Sequence, residues 1–247
     1  LCNGGLYTSE TFGFTKEMSL SLSTEFEIEC AGEPVILRGD GTVLIPRFNA
    51  LLVADLHLGK SASFRAGGVP VPEGVDQTIL ENLTVALETT AASQVFFLGD
   101  LIHDRDSMTP TLIAKFTHWR EAHSKIDMTL VRGNHDRHVR QFPEPWLLQE
   151  TTSSFIGPFQ LLHETSNSLP SQQVDSTGES VSFQFGGHWH PVVSVGRGAD
   201  RMRLPCFVVS QHHITLPAFG PFKGGMKQDA SKSVDFFPIC DGKIWQA

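Results

Sequence analysis

The chain is predicted to fold as an α/β protein in which two packed β-sheets are flanked by helices within one domain. Three observations predict it. Between Leu51 and Val131, apolar runs and helical periodicities alternate as strand, helix, strand, helix, strand, which is the order of an α/β sheet. From Phe155 onward, short strand-like runs follow one another, separated by Gly, Pro and Ser, as in a β-rich half. Residues of metal-binding type end strands in both halves, so the halves are expected to meet in a single domain.

Taken in order, residues 1 to 17 are polar and Gly-rich, with aromatics at Tyr7, Phe12 and Phe14, and Met18 can be a natural start. Residues 1–24 are expected to be an N-terminal arm, flexible or tag-derived, and residues 25–247 a single domain. Phe26-Glu27-Ile28-Glu29-Cys30, Pro34-Val35-Ile36-Leu37 and Val43-Leu44-Ile45, with Gly39-Asp40-Gly41 between the last two, read as hairpin strands. Leu51-Leu52-Val53-Ala54 is the next strand. The stretch from Leu58 to Pro72, rich in Gly, Pro and small residues and carrying Lys60 and Arg65, is long for a plain connection and reads as a functional loop. Ile79, Leu80, Leu83, Ala86 and Leu87 repeat at helical spacing. Val95-Phe96-Phe97-Leu98 is the central strand, apolar throughout and so buried on both faces. Thr109-Pro110 reads as an N-cap followed by Pro at the first helical position, with Leu112, Ile113, Phe116 and Trp119 on one face. Thr129-Leu130-Val131 closes this half. In the second half, strands are expected around Phe155-Ile156, Phe159 to Leu162, Val181 to Phe185, Val192 to Val195, Cys206 to Val209, Ile214 to Leu216 and Ile239-Cys240. Residues 164 to 180, rich in Ser, Gln and Thr, are expected to form a mobile loop.

Bulk properties narrow the function. The 247 residues are 40% hydrophobic and 19% charged, enough for a sizeable core. No run approaches the roughly 18–20 apolar residues that span a bilayer, and no basic-then-apolar leader is seen. The four cysteines, Cys2, Cys30, Cys206 and Cys240, form no C-x-x-C pair. They read as buried free thiols, which suits a cytoplasmic protein. The formal net charge of -8 argues against a protein that grips nucleic acid with its whole surface. Any attraction for phosphate must therefore be local.

The chemistry lies at the strand ends. Asp55-Leu56-His57 follows the strand at Leu51, and Gly99-Asp100 follows the central strand. Gly133-Asn134-His135-Asp136 follows Thr129-Leu130-Val131, and Gly187-His188-Trp189-His190 follows Phe183-Gln184-Phe185. Each is weak alone, since strand-ending Asp and Asn are often only turn formers. Together they supply a pair of divalent cations, which about 3.5–4 Å apart can clamp a phosphate for in-line attack. A bridging carboxylate offsets the repulsion between two such ions, and Asp100 is the best candidate. Asp55 and His57 can serve one ion, and Asn134 with His163, His188 or His190 the other. This mixed N/O set suits Mn²⁺, Fe or Zn²⁺ better than Ca²⁺.

In this order the four motifs resemble the calcineurin-like metallophosphoesterases. Ala54-Asp55-Leu56-His57-Leu58-Gly59-Lys60, Phe64-Arg65, the run from Gly68 to Gly74, Leu204-Pro205-Cys206-Phe207, the run from Leu216 to Gly220, and Gly224-Gly225 are similar to one branch, the ligase-associated DNA-damage-response endonucleases. The resemblance implies a four-layer α-β-β-α sandwich of two mixed sheets and a two-metal phosphoesterase, with Mn²⁺ the expected ion. It implies that Asp55, His57, Asp100 and His190 hold the first metal. Asp100, Asn134, His163 and His188 would hold the second. His135 would be the general acid, with Asp136 orienting its ring. Lys60, Arg65, His103 and Arg137 are candidate substrate contacts, and Arg132, His138 and Arg140 can extend a basic lip. The substrate expected is DNA in a repair setting, with DNA ligase or helicase partners and no membrane association. The alternatives are a phosphatase or phosphodiesterase acting on a small nucleotide or phosphoprotein, or a metal-dependent scaffold that has lost catalysis.

Overall fold

The computed structural model describes residues 23–166, 178, 180–221, 225–227 and 234–247. Most of the expected N-terminal arm and of the loop over 164 to 180 lies outside the described residues, as do Cys2 and Gly224.

Each half of the chain builds its own sheet. The first contains β1 (Glu25–Cys30), β2 (Glu33–Arg38), β3 (Val43–Ile45), β4 (Ala50–Val53), β5 (Gln94–Leu98), β6 (Asp127–Val131) and β7 (Gln149–Thr151), in that spatial order. Strands β1 to β4 are antiparallel and β4 to β7 parallel. The helices α1 (Lys60–Ala66), α2 (Val75–Thr90) and α3 (Pro110–Ala122) belong to the connections of the parallel part. The second sheet contains β8 (Ser154–Ile156), β9 (Phe159–Leu161), β10 (Phe183–Gly186), β11 (Val192–Val195), β12 (Met202–Ser210), β13 (His213–Thr215), β14 (Val234–Cys240) and β15 (Lys243–Ile244). Its order is β15-β14-β12-β13-β10-β9-β8, with β11 paired to β12. Strand β10 runs parallel to both β9 and β13. The molecule is thus two mixed sheets with flanking helices.

The period-two alternation of a strand divides each apolar run between two cores. Leu52, Phe96 and Leu98 face the second sheet and pack with Phe159, Phe185, Phe207 and Ile214. Leu51, Val53, Val95 and Phe97 face the other way and pack with Leu83 and Leu87 of α2 and Phe116 and Trp119 of α3. This is why the central strand is apolar at every position. Helix α2 buries Ile79, Leu80, Leu83, Ala86 and Leu87, the stripe read from the sequence. Helix α3 starts at Pro110 with Thr109 as its cap, the Thr109 hydroxyl accepting from Leu112 N at 3.2 Å. Trp119 Nε1 donates to Thr84 Oγ1 at 2.9 Å and ties α3 to α2. On the outer face of the second sheet, Cys206, Val208 and Phe236 cluster with Val193 and Val234; no α-helix of the described residues lies in this half.

Three elements differ from the sequence reading. The start of the expected loop after Leu58 is helix α1. Its residues 60–66 contain neither Gly nor Pro; the breakers stand at Gly59 and from Gly67 onward. Strand β7 is Gln149-Glu150-Thr151 at a sheet edge, and β15 is two residues long; neither offers an apolar period. Cys30 and Cys206 are buried free thiols, and burial pushes both pKa values up to about 12; Cys240 is half-buried. No helix among the described residues is long and apolar enough to cross a membrane.

Candidate metal centre

Parallel strands end at a common edge, so β4, β5 and β6 deliver Asp55 and His57, then Asp100, then Asn134 and His135, to one place. Strands β9 and β10, parallel in the facing sheet, deliver His163, His188 and His190 to the same place. Five of these residues have left-handed backbone: Asp55 (φ 54), His57 (48), Asp100 (49), His188 (69) and His190 (42). Outside glycine this conformation is uncommon and costs about 1–3 kcal/mol per residue. Backbone hydrogen bonds between the tips hold it, including Asp55 N to Gly99 O at 3.2 Å, His57 N to Asp100 O at 2.8 Å and Gly187 N to His163 O at 2.8 Å.

Two groups of donors form. In the first, His57 Nε2 and His190 Nε2 are 3.2 Å apart, and His190 Nε2 is 3.5 Å from Asp55 Oδ1. In the second, His163 Nε2 is 3.0 Å from His188 Nδ1 and 2.9 Å from Asn134 Oδ1. Asp100 lies between them, its Oδ2 being 3.9 Å from His57 Nε2 and 3.5 Å from His163 Nε2. The other oxygens are used for positioning: Asp100 Oδ1 accepts from His135 N, and Asp55 Oδ2 from His188 N, each at 2.9 Å. His163 Nδ1 donates to Leu98 O at 3.0 Å. That bond fixes the tautomer and leaves Nε2 with a free lone pair, as a metal-binding histidine requires.

Three glycines make the convergence sterically feasible. A Cβ on Gly99 would stand 2.0 Å from His163 Nδ1, one on Gly133 2.2 Å from Asp100 Oδ1, and one on Gly187 2.3 Å from Asp55 Oδ2. Each glycine precedes one candidate ligand in sequence and is the floor beneath another. The φ of +86° at Gly99 also lets the chain turn at the end of β5.

Two of the pocket's imidazoles, His57 and His103, are biased toward the neutral form. Burial, then Lys60, His190, His135 and His103, lower the His57 pKa to about 2. His103 is lowered by burial and then by Lys60. Lys60 is itself lowered by burial, although Asp55 and Asp100 pull the other way. Asp55 Oδ1, His57 Nδ1 and His103 Nδ1 are buried without a hydrogen-bond partner among the described residues. Such orphaned groups are costly in a folded protein; a cation held with His57 Nε2 and His190 Nε2 would be the missing partner of Asp55 Oδ1. The spacings agree, because atoms about 2.0–2.1 Å from one ion stand roughly 3–3.4 Å apart.

His135 is held differently from the sequence expectation. Its Nδ1 donates to the carbonyl oxygen of His103, and its ring stacks on the His103 ring at 5.2 Å and 21°. Asp136 does not touch the ring. Its fully buried carboxylate accepts from Gly133 N at 2.9 Å and Ile102 N at 3.1 Å. Both oxygens are occupied by backbone, so Asp136 braces the two loops that carry Asp100 and His135. Burial raises its pKa against the effect of those bonds. The His103 and Leu98 carbonyls escaped the sequence reading because a backbone acceptor has no residue signature.

The rim sorts the remaining candidates. His103 and Lys60 border the His57 group. Arg65 is exposed but turned back, donating to the carbonyls of Pro72 at 3.1 Å and Val71 at 3.4 Å. Arg132 pairs with Glu150 at 2.6 Å and donates to Asp136 O and Val139 O. Arg137 lines a cleft of about 680 Å³ together with Arg140, Asn134, His163 and His188. Trp189 is half-buried, edge-on to His188 at 4.9 Å.

Comparison with known proteins agrees with this geometry. Residues 48–226 match the family model for calcineurin-like phosphoesterases. The crystal structure of Pseudomonas putida nuclease MPE is similar, with 31% identity and a TM-score of 0.74 over 90% of this chain and all of that one. A phosphoesterase from E. coli, Yfce, is 14% identical over 78% of this chain and 88% of its own, at a TM-score of 0.35, too distant to bear on the argument. No curated protein matches the chain. With the family model spanning most of the domain and every one of its strand-tip motifs gathered at one edge, this chain belongs to the calcineurin-like phosphoesterases.

Proposed function

We propose that this protein is a two-metal phosphodiesterase that cuts DNA, with Mn²⁺ as the favoured ion and Fe or Zn²⁺ as substitutes. The observation that carries the proposal is the position of Asp100 Oδ2, between the imidazoles of two separate donor groups. The similarity to a nuclease of Pseudomonas putida supports a nucleic-acid substrate. The branch resemblance supports a repair setting with a DNA ligase or helicase nearby.

Asp55, His57 and His190 would hold one ion, Asn134, His163 and His188 the other, and Asp100 both. Bound there, the ions would polarise the phosphate and activate water. The chain's own residues do the rest. Asp100 Oδ1 anchors the backbone of His135, so the acid is registered against the bridging carboxylate. The bond from His135 Nδ1 to His103 O leaves Nε2 as the nitrogen that releases a proton to the departing oxygen. Two dications against two carboxylates make the pocket positive, which draws a phosphodiester to a chain of net charge -8.

The test is metal analysis followed by cleavage. Purified protein should carry about two ions per chain. It should nick supercoiled and single-stranded DNA with Mn²⁺, and Asp100→Asn should lose both properties. Absence of metal-dependent cleavage above the variant's background overturns the DNA reading. Hydrolysis of bis(p-nitrophenyl) phosphate without DNA cleavage would move the substrate to a small ester.

A further inference from the structure

Two clefts meet beside the second donor group. The first, about 680 Å³, is lined by Asn134, His163 and His188 together with Arg137, Val139 and Arg140. The second, about 540 Å³, is lined by Val139, Arg140, His138 and Arg105, among others. Val139 and Arg140 line both clefts, which therefore adjoin at this segment of the groove beside the candidate metal centre.

The cations along this groove differ in what they already bind. Arg132 is consumed by Glu150 and by two carbonyls, and on the His57 flank Arg65 is consumed by carbonyls of its own loop. Arg105, Arg137 and Arg140 are exposed, and their guanidinium groups make no hydrogen bond or ion pair within the described residues. Each cleft carries one carboxylate, Glu164 in the first and Glu144 in the second. The unengaged arginines outnumber them in both clefts, counting Arg140 in each. Extended guanidinium forks without partners suit phosphate oxygens. Exposed His138 and Gln141 line the second cleft beside them.

We infer that Arg137, Arg140 and Arg105 form a phosphate track that holds the nucleotides on one side of the cut. The preferred substrate is then an internal phosphodiester of a polynucleotide strand with at least two further phosphates on that side. This rests on the proposed DNA cleavage and adds to it a polarity and a minimum length. A mononucleotide or a free dinucleotide fills the metal centre but not the track.

The experiment compares wild type with Arg105→Gln/Arg140→Gln, with the charge reversal Arg140→Glu, and with Lys125→Gln on an exposed surface as control. Binding of a fluorescent 12-mer oligonucleotide is followed by anisotropy in EDTA at several salt concentrations. Single-strand slopes run at about 0.7 per phosphate neutralised, so the double variant should flatten log K against log salt by about 1.4 and weaken binding about tenfold. Lys125→Gln should match wild type. With Mn²⁺, the double variant should lose at least tenfold more in kcat/KM on the 12-mer than on bis(p-nitrophenyl) phosphate. Cleavage of end-labelled oligonucleotides should stop about two nucleotides short of one end only. Wild-type slope and affinity in both variants, or equal losses on the two substrates, would overturn the track even if DNA is cut. If wild type hydrolyses no ester, the enzymatic reading falls, and the slope comparison still decides the track.

Discussion

Replacing Gly187 by alanine is the sharpest test of how the centre is assembled. The new methyl would stand 2.3 Å from Asp55 Oδ2 and 2.6 Å from Ala54 Cβ, where ordinary contact begins at 3.4 Å. Ala54 lies at the end of a fully buried strand, and Asp55 has no exposed surface, so neither can move freely. The carboxylate must therefore retreat by about 1 Å to restore normal contact. Its bond to His188 N at 2.9 Å is lost or badly stretched. A charge-assisted hydrogen bond contributes about 1.5–3 kcal/mol, and overpacking costs about 1–3 kcal/mol. Together these predict a loss of roughly 2.5–6 kcal/mol, or a Tm lower by about 5–24 °C for a domain of this size. A displacement of about 1 Å at this candidate metal ligand should also reduce turnover about 10²-fold. Calorimetry with and without Mn²⁺, metal titration and hydrolysis of bis(p-nitrophenyl) phosphate would measure all three. Gly67→Ala, at the end of α1 with φ -79° and a new Cβ no nearer than 3.4 Å to any neighbour, controls for adding a methyl without a clash. A Gly187→Ala protein with Tm within about 2 °C of wild type and turnover within about twofold would refute the reasoning.

Other consequences are open to simple measurements. His135→Ala should slow turnover by about 10²–10⁴ while metal content stays at the wild-type value; loss of metal would show that His135 is a ligand instead. In chelator, His57 should make stability fall on acidification. It stays neutral in the fold down to a pKa of about 2 but takes up a proton near 6.5 when unfolded, so the unfolded state binds the extra proton below that pH. The slope is about 1.4 kcal/mol per pH unit, or roughly 2 kcal/mol between pH 6.5 and 5. Urea melts of wild type and His57→Gln should differ by that slope. Thr109→Ala removes the cap on Leu112 N and should cost about 1 kcal/mol, seen as a Tm lower by about 2–4 °C, with kcat untouched.

Much of the fold is legible along the chain because burial imposes a period. The stripe Ile79, Leu80, Leu83, Ala86, Leu87 and the pair Thr109-Pro110 foretell α2 and the start of α3, since a helix packing on a sheet needs that spacing and that cap. Elements without an apolar face are silent: α1 buries only Ser61, and β7 buries nothing. The same holds at the centre. Asp55, His57, Asp100, Asn134, His163, His188 and His190 are visible because donor side chains stand immediately after apolar runs. Asp136 misled because adjacency to His135 in sequence implied contact with its ring, whereas the turn sends its carboxylate into the loop backbone.

Local sequence determined which segments are strands and helices and which residue types stand at their ends, because those follow from side-chain period and turn chemistry alone. Only the tertiary structure decided that two sheets from opposite halves place their tips within hydrogen-bond distance. It also decided that glycines leave room for the neighbouring carboxylates and that main-chain carbonyls, not a carboxylate, hold His135 and His163. Those are relations between segments far apart along the chain, set by strand pairing and close packing, and no stretch read by itself contains them.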